Sequence, residues 1–364
     1  MLNTAGKRGA EVTDKNGKIY MAHGSGGKET AELVKNMFAG VYGNEYLAQM
    51  EDATLLYGSK RIVMTTDSFV VDPPEFPGGN IGRLAVCGTV NDIVARGAVP
   101  KYLSAAFILG EGLEFELLER VIKSMAETAD EAGVKIVCGD TKVIEGKGSI
   151  YINTTGIGFI PERKEAGGEN DFATESDAGV WVPGCDKIEA GDVIIVSGNL
   201  GDHHAAILGK RLGFDNDIKS DAAPLVKIAE ALREDFGVHA MRDVTRGGLA
   251  TVLKEMAEAS GKCFVIEEDK LPVSGAVKSF ASLLGLDPLY MGNEGKMVAF
   301  VREKYAAAAA EVIRKLPYGE DACMIGNVKV AEDESEKGSL ILETGIGGRR
   351  SLDLMVGEGL PRIC

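Results

Sequence analysis

The sequence predicts an α/β protein of two domains. Three observations carry that expectation: a length of 364 residues, alternating strand and helix patterns in both halves, and an aperiodic stretch between them. A chain of this length exceeds the usual single core. With 45% hydrophobic residues it has the side chains to fill two.

Residues 1–20 are polar and mixed in charge, and read as a mobile arm. Domain one is expected over 21–160. It opens on His23-Gly24-Ser25-Gly26-Gly27-Lys28, followed by helical spacing through Leu33, Val34, Met37 and Phe38. A strand is expected from Arg61 to Val71, a helix over Ile81 to Arg96, and a strand over Tyr102 to Leu109. The most periodic helix runs from Phe115 to Ala132 and stops at Gly133. Val134 to Cys138 reads as a short strand ending at Gly139-Asp140, and Ser149 to Ile160 as another.

Residues 161–190 lose periodicity and read as a linker or insertion. Domain two is expected over 191–344. Its strands are Asp192 to Ser197, Met297 to Val301 and, last, Leu340 to Glu343. Its helices are Ala223 to Phe236, Gly247 to Ser260 and Tyr305 to Leu316. Residues 345–364 carry five glycines and read as a flexible tail.

Charge and cysteine usage exclude several function classes. A net charge of −15 repels phosphate backbones, so nucleic acid is not an expected partner. No apolar run is long enough to span a membrane. Cys87, Cys138, Cys185, Cys263, Cys323 and Cys364 stand far apart, which argues against a zinc site or a redox pair. Sparse cysteines and a polar start with no signal peptide suit the cytoplasm.

Acids beside small residues recur in four places: Asp67, Asp92 (after Asn91), Asp140 and Asp243. Each reads as a turn at the end of an element. Carboxylates so placed can converge on Mg2+ bound to ATP phosphates, because magnesium takes oxygen ligands and keeps several waters. Asp67, Asp92 and Asp140 are the expected metal contacts, with Asn91 and Asp243 beside them. Any one of these acids reads equally well as a cap or turn residue. The Gly24, Gly26, Gly27 and Lys28 loop offers free N–H groups and a cation to phosphates, or serves only as a hinge. It lacks P-loop spacing. Asp202-His203-His204 reads better as a capped helix start than as a metal site. Glu294, between Gly292 and Gly295, is placed for proton transfer, or lies in a simple turn. Lys142 is either a phosphate contact or an exposed lysine. Cys364 is a terminal thiol next to Arg362, on a chain end able to visit more than one site.

The segments HGSGG (23–27), DSFVVDPPEFPGGNIGRLAVCGTVNDI (67–93), GDTKV (139–143), GDHHAAIL (201–208), RDVTRGGLA (242–250), GNEGK (292–296) and PRIC (361–364) resemble the HypE family of hydrogenase maturation factors. That family lies within the PurM-like (aminoimidazole ribonucleotide synthetase) superfamily. The resemblance runs from about residue 20 to the end. It implies a two-domain PurM-like fold, a homodimer through the N-terminal domains, and ATP at the dimer interface. It further implies that a carbamoyltransferase, HypF, loads Cys364. ATP-dependent dehydration then makes a thiocyanate, and the cyano group passes to iron on a HypC–HypD complex. Glu294 as base and Lys142 as its assistant follow from the resemblance together with chemical type. Glycines near 345–348 and 357–359 would serve as hinges. Two other readings compete: a different ATP-dependent small-molecule enzyme of the superfamily, or a nucleotide-binding scaffold that presents its tail.

Overall fold

The computed structural model of the protein describes residues 17–25, 27–49, 53–161, 181–214, 216–233, 236–331 and 333–355. The first half opens with α1 (Lys28–Leu33) and α2 (Ala39–Tyr42), joined by a π-helical turn. Then come β1 (Ile62–Phe69), the short β2 (Glu75–Phe76) and β3 (Gly79–Asn80), α3 (Ile81–Ala95), β4 (Val99–Gly110), α4 (Phe115–Ala132), β5 (Lys135–Ile144) and β6 (Ile150–Phe159).

The main sheet of this half runs β1-β6-β4-β5, so β1 and β5 lie on opposite edges. Successive side chains on a strand face opposite sides. Val63, Thr65, Asp67 and Phe69 therefore turn inward, while Ile62, Met64, Thr66 and Ser68 turn outward and are exposed. Helices α3 and α4 cover the inner face through Leu84, Val86, Val90, Leu118 and Ile122. The outer face stays open, apolar at Ile62 and Met64 (55% and 67% exposed) and polar around Thr66, Ser68, Asn153 and Thr155.

Helix α3 starts where the Asn80 side chain accepts the N–H groups of Gly82 and Arg83. It is buried nearly all round, because one flank meets the sheet and the other meets the second half of the molecule. Helix α4 instead has a single apolar stripe and ends on Gly133 in the left-handed conformation.

The second half contains β7 (Val193–Val196), α5 (Asp202–Leu212), α6 (Val226–Arg233), β8 (Val238–Asp243), α7 (Gly248–Ser260), β9 (Cys263–Glu267), α8 (Gly275–Leu284), β10 (Met297–Val301), α9 (Glu303–Arg314), β11 (Cys323–Lys329), β12 (Leu340–Glu343) and β13 (Arg349–Leu352). Its sheet runs β13-β12-β9-β11-β7-β10-β8. Among the described residues no helix is long and apolar enough to cross a membrane.

Several expectations need correction. β5 does not stop at Gly139-Asp140. It pairs with β4 through to Ile144, because Thr141 and Val143 still have an inner face to fill. Leu340–Glu343 is not the last strand. β13 pairs with it, Leu352 is buried, and the turn between them is closed by Thr344 and Gly348 bonding each other, so 345–348 is no hinge. The arm is fixed from Gly17 onward: Ile19 is buried and exchanges backbone bonds with Gly112 and Leu113. Within 161–190, the part from Trp181 on is packed. The Trp181 indole donates to Val238 O at 2.9 Å, and Arg96 donates to Pro183 O at 2.6 Å. Asp202 is the first helical residue of α5 and makes no side-chain cap; Gly201 holds the cap position. The rest of the arm, residues 162–180, Gly26 and the end of the tail with Cys364 lie outside the described residues.

Candidate active site

Asp67 lies inside β1 and Asp92 inside α3, so neither is the turn residue its neighbours suggest. They meet because β1 turns Thr65 and Asp67 toward the helix. The Thr65 hydroxyl donates to Asp92 Oδ2 at 2.6 Å. Asp67 Oδ2 lies 3.9 Å from where a side chain on Gly88, one turn before Asp92, would begin. Burial, then the charge of Asp92, raises the proton affinity of Asp67, with Arg246 opposing. Burial also raises that of Asp92, opposed by the Thr65 bond and by Arg242.

The second half adds two more carboxylates. Asp243 ends β8 opposite Met297, the first residue of β10, and Val244 N–H donates to Lys296 O at 2.8 Å. This pairing sets Asp243 beside the Gly292–Lys296 loop and against α3. Burial, then Asp92, pushes Asp243 up to about 7. Glu294 is raised well above the carboxylate range by burial first, then by Asp243, Asp221 and Asp67, with Arg246 opposing. A buried carboxyl whose proton affinity its surroundings raise is suited to proton exchange, as an acid–base group requires.

Asp140 and Lys142 stand elsewhere. Asp67 pairs with Thr154, Thr154 with Ala105, and Ala105 with Gly139, so a single row crosses the sheet. Asp140 is one residue past that row and points to the outer face. Three strand spacings, roughly 14 Å, separate the two edges. The predicted trio Asp67, Asp92 and Asp140 is therefore not gathered within one chain. Asp140 is instead held low by Lys142, whose Nζ is 2.6 Å from both its oxygens. Among the described residues no group of three or more His, Cys, Asp or Glu side chains could hold a metal alone. Asp67 with Asp92 still fits magnesium, which commonly uses one or two carboxylates plus phosphate oxygens and water.

Gly24, Asp140 and Lys142 line one cavity of about 360 Å³, together with Phe38, Tyr42 and Phe107. Gly24 is glycine for a packing reason: a side chain there would begin 2.3 Å from Val143 N. Gly27 caps α1 without a side-chain bond, and Lys28 is exposed, 3.7 Å from Glu32. Asn91 is not free to contact a ligand. It is buried, donating to Ala223 O at 3.0 Å and accepting from Leu225 N at 2.8 Å. Residue types alone missed Thr65, Asp221, Arg242 and Arg246. The signal for the two arginines was their place in RDVTRGG, flanking Asp243.

Cys364 is outside the described residues, but the chain leading to it is tied to the segment that precedes the Glu294 loop. The Tyr290 hydroxyl donates to Asp353 O at 2.9 Å, and Arg350 pairs with Asp287 at 3.1 Å.

Residues 50–160 match the N-terminal domain of AIR synthase related proteins, and residues 189–338 match the C-terminal domain. The carbamoyl dehydratase HypE of Rhodobacter capsulatus is 45% identical, over 95% of this chain and 98% of that protein. The chain belongs to the HypE family. Its two-domain, mixed α/β architecture is accordingly PurM-like. A crystal structure of HypE in complex with ATP is 43% identical, with a TM-score of 0.86 over 94% of this chain and 99% of that one. HypE in a crystallised HypE–HypF complex is also 43% identical, with a TM-score of 0.72 over 89% of this chain and 99% of that one.

Proposed function

We propose that the protein is an ATP-dependent carbamoyl dehydratase that converts an S-carbamoyl group on its own Cys364 to a thiocyanate. The observation that carries this reading is the convergence of Asp67 and Asp92 from one half with Asp243 and Glu294 from the other. The similarity to carbamoyl dehydratase HypE supports it.

The chemistry explains why such a site is wanted. The thiocarbamate oxygen is a poor leaving group. Transfer of the ATP γ-phosphoryl to that oxygen turns it into phosphate, which leaves as the carbon–nitrogen triple bond forms. Two protons must leave the nitrogen, and the water lost is accounted for by ATP becoming ADP and phosphate. Glu294, buried and entering the step as the carboxylate, receives one nitrogen proton, and the departing phosphate takes the other. Asp67 and Asp92 would hold the magnesium of Mg–ATP, which supplies charge neutralisation on the phosphates. In a dimer the loop that begins at Gly24, on the same edge as Asp140 and Lys142, would cover the nucleotide of a second copy and exclude water.

The proposed route brings the tail to this site. Asp353 is tied to Tyr290, four residues before Glu294, and the eleven residues from there to Cys364 span up to about 40 Å.

A homodimer is the proposed assembly, because the outer face of the first sheet is open and exposes Ile62, Met64 and Ile108. Within one chain Asp140 and Lys142 stand apart from the carboxylates, and we propose that the dimer brings them to the carboxylate site of a second copy. HypF is the proposed donor of the carbamoyl group, in keeping with the similar HypE that was crystallised with it. A HypC–HypD complex is the proposed acceptor of the cyano group, and the cytoplasm the proposed compartment.

Asp92→Asn tests the enzyme reading against a nucleotide-binding scaffold. ATP turnover in the presence of carbamoylated Cys364 is expected to fall at least about 100-fold. Unchanged turnover would remove Asp92 from the site.

A further inference from the structure

We infer that the irregular segment 220–225 positions Glu294, and that Asp221 is the positioning residue within it. The inference rests on the reading of Glu294 as the base.

A segment without helix or strand must satisfy its backbone groups in other ways when buried. Here partners come from both halves of the molecule. From the first half, Pro77 O accepts Ser220 N–H at 2.8 Å, and Arg83 Nε donates to Ala222 O at 2.6 Å. Asn91 takes both Ala223 O and Leu225 N–H. Arg83 and Asn91 sit on α3, the helix that carries Asp92. The segment is thus fixed to the carboxylates of the first half.

On its other side the segment grips the Glu294 loop. Glu294 N–H donates to Asp221 Oδ1 at 3.0 Å, and Ala223 N–H donates to Glu294 O at 3.3 Å. Asp221 Oδ2 lies 3.3 Å from Lys296 Nζ, with both side chains over nine-tenths buried. One carboxylate therefore brackets the residues before and after Gly295. The fit leaves no slack: a side chain on Gly295 would begin 1.8 Å from Asp221 O. Glu294 reaches the site from a loop, yet its backbone is referenced to α3 and hence to Asp92. A base misplaced by about 1 Å loses on the order of 100-fold in rate.

The test is single-turnover dehydration by full-length protein, carbamoylated on Cys364, with varied Mg–ATP. Asp221→Ala is expected to lower the maximal rate roughly 100-fold while the KM for ATP stays within about threefold. Asp221→Asn keeps the acceptor for Glu294 N–H but loses the pairing with Lys296, and is expected to lie about tenfold below the parent. This near-isosteric variant also serves if the alanine variant fails to fold. A parent-like rate in Asp221→Asn and Asp221→Ala, or a loss confined to KM, overturns the proposal. Glu294→Gln is run alongside. If it keeps the parent rate, Glu294 is not the base and the role of Asp221 falls with it. If it is inactive while Asp221→Ala is parent-like, only the positioning role is lost.

Discussion

The Thr65 hydroxyl donates a 2.6 Å hydrogen bond to Oδ2 of Asp92, joining an edge strand to the helix between the two halves. This bond fixes the Asp92 carboxylate and, with Arg242, opposes the rise in proton affinity that burial causes.

Thr65→Val removes the bond and leaves the shape nearly unchanged. Mg–ATP affinity is expected to drop about three- to tenfold, in line with one charge-assisted bond of about 1 kcal/mol. The hydroxyl holds Asp92's proton affinity down, so its loss lets protons compete better. The deficit measured by titration calorimetry should be larger at a lower pH than at a higher one. Equal deficits at both would contradict this.

Asn91→Ala separates a structural residue from a ligand contact. It strands Ala223 O and Leu225 N–H in a buried place and is expected to destabilise the fold by about 2–4 kcal/mol. Denaturant unfolding measures that loss. A stable variant whose only defect is ATP binding would restore Asn91 to the nucleotide site.

Asp243 makes stability depend on pH. Its folded value is raised to about 7, so the folded chain binds a proton the unfolded chain has released. That contribution is full below the ordinary carboxylate value near 4 and is lost as pH rises through about 7. Asp243→Asn should therefore flatten the fall in Tm of nucleotide-free protein between about pH 4 and pH 7. An unchanged slope would show that Asp243 does not titrate there.

Lys142 and Glu294 stand apart in one chain, so a shared site predicts complementation. Lys142→Ala and Glu294→Gln are each expected to lose most activity. Mixed and re-equilibrated, they should regain up to about a quarter of the parent activity, since half the dimers are mixed and each has one intact site. Met64→Glu, which charges the exposed outer face, should give monomers by light scattering and abolish the recovery. No recovery from the mixture would place Lys142 outside the partner's site.

Much of this was legible in the sequence, for reasons that also explain the errors. Helix α4 was read to the residue because its single apolar stripe ends on a glycine that can turn left-handed. Helix α3 was read despite being buried all round, because Leu84, Val86, Val90 and Ile93 keep helical spacing. β5 was cut short because Gly139-Asp140 looks like a turn, whereas the edge strand simply exposes Asp140 and Lys142 on its outer face. β13 was missed because RRSL has only one residue, Leu352, facing the core. The site was partly legible: Asp67, Asp92, Asp243 and Glu294 were all chosen by type and context. Which of them meet was not, since that depends on strand order and face. No local pattern says that β1 and β5 take opposite edges. Asp221 gave no sign at all, because its role is made by packing against Gly295.

Intact-protein mass spectrometry tests the central claim most directly. The protein is incubated with HypF, carbamoyl phosphate and ATP, then given fresh Mg–ATP. The account predicts a gain of one carbamoyl group on Cys364, followed by the loss of one water that requires ATP and fails in Glu294→Gln. An unmodified Cys364 alongside continued ATP hydrolysis would contradict it and point to a free small-molecule substrate.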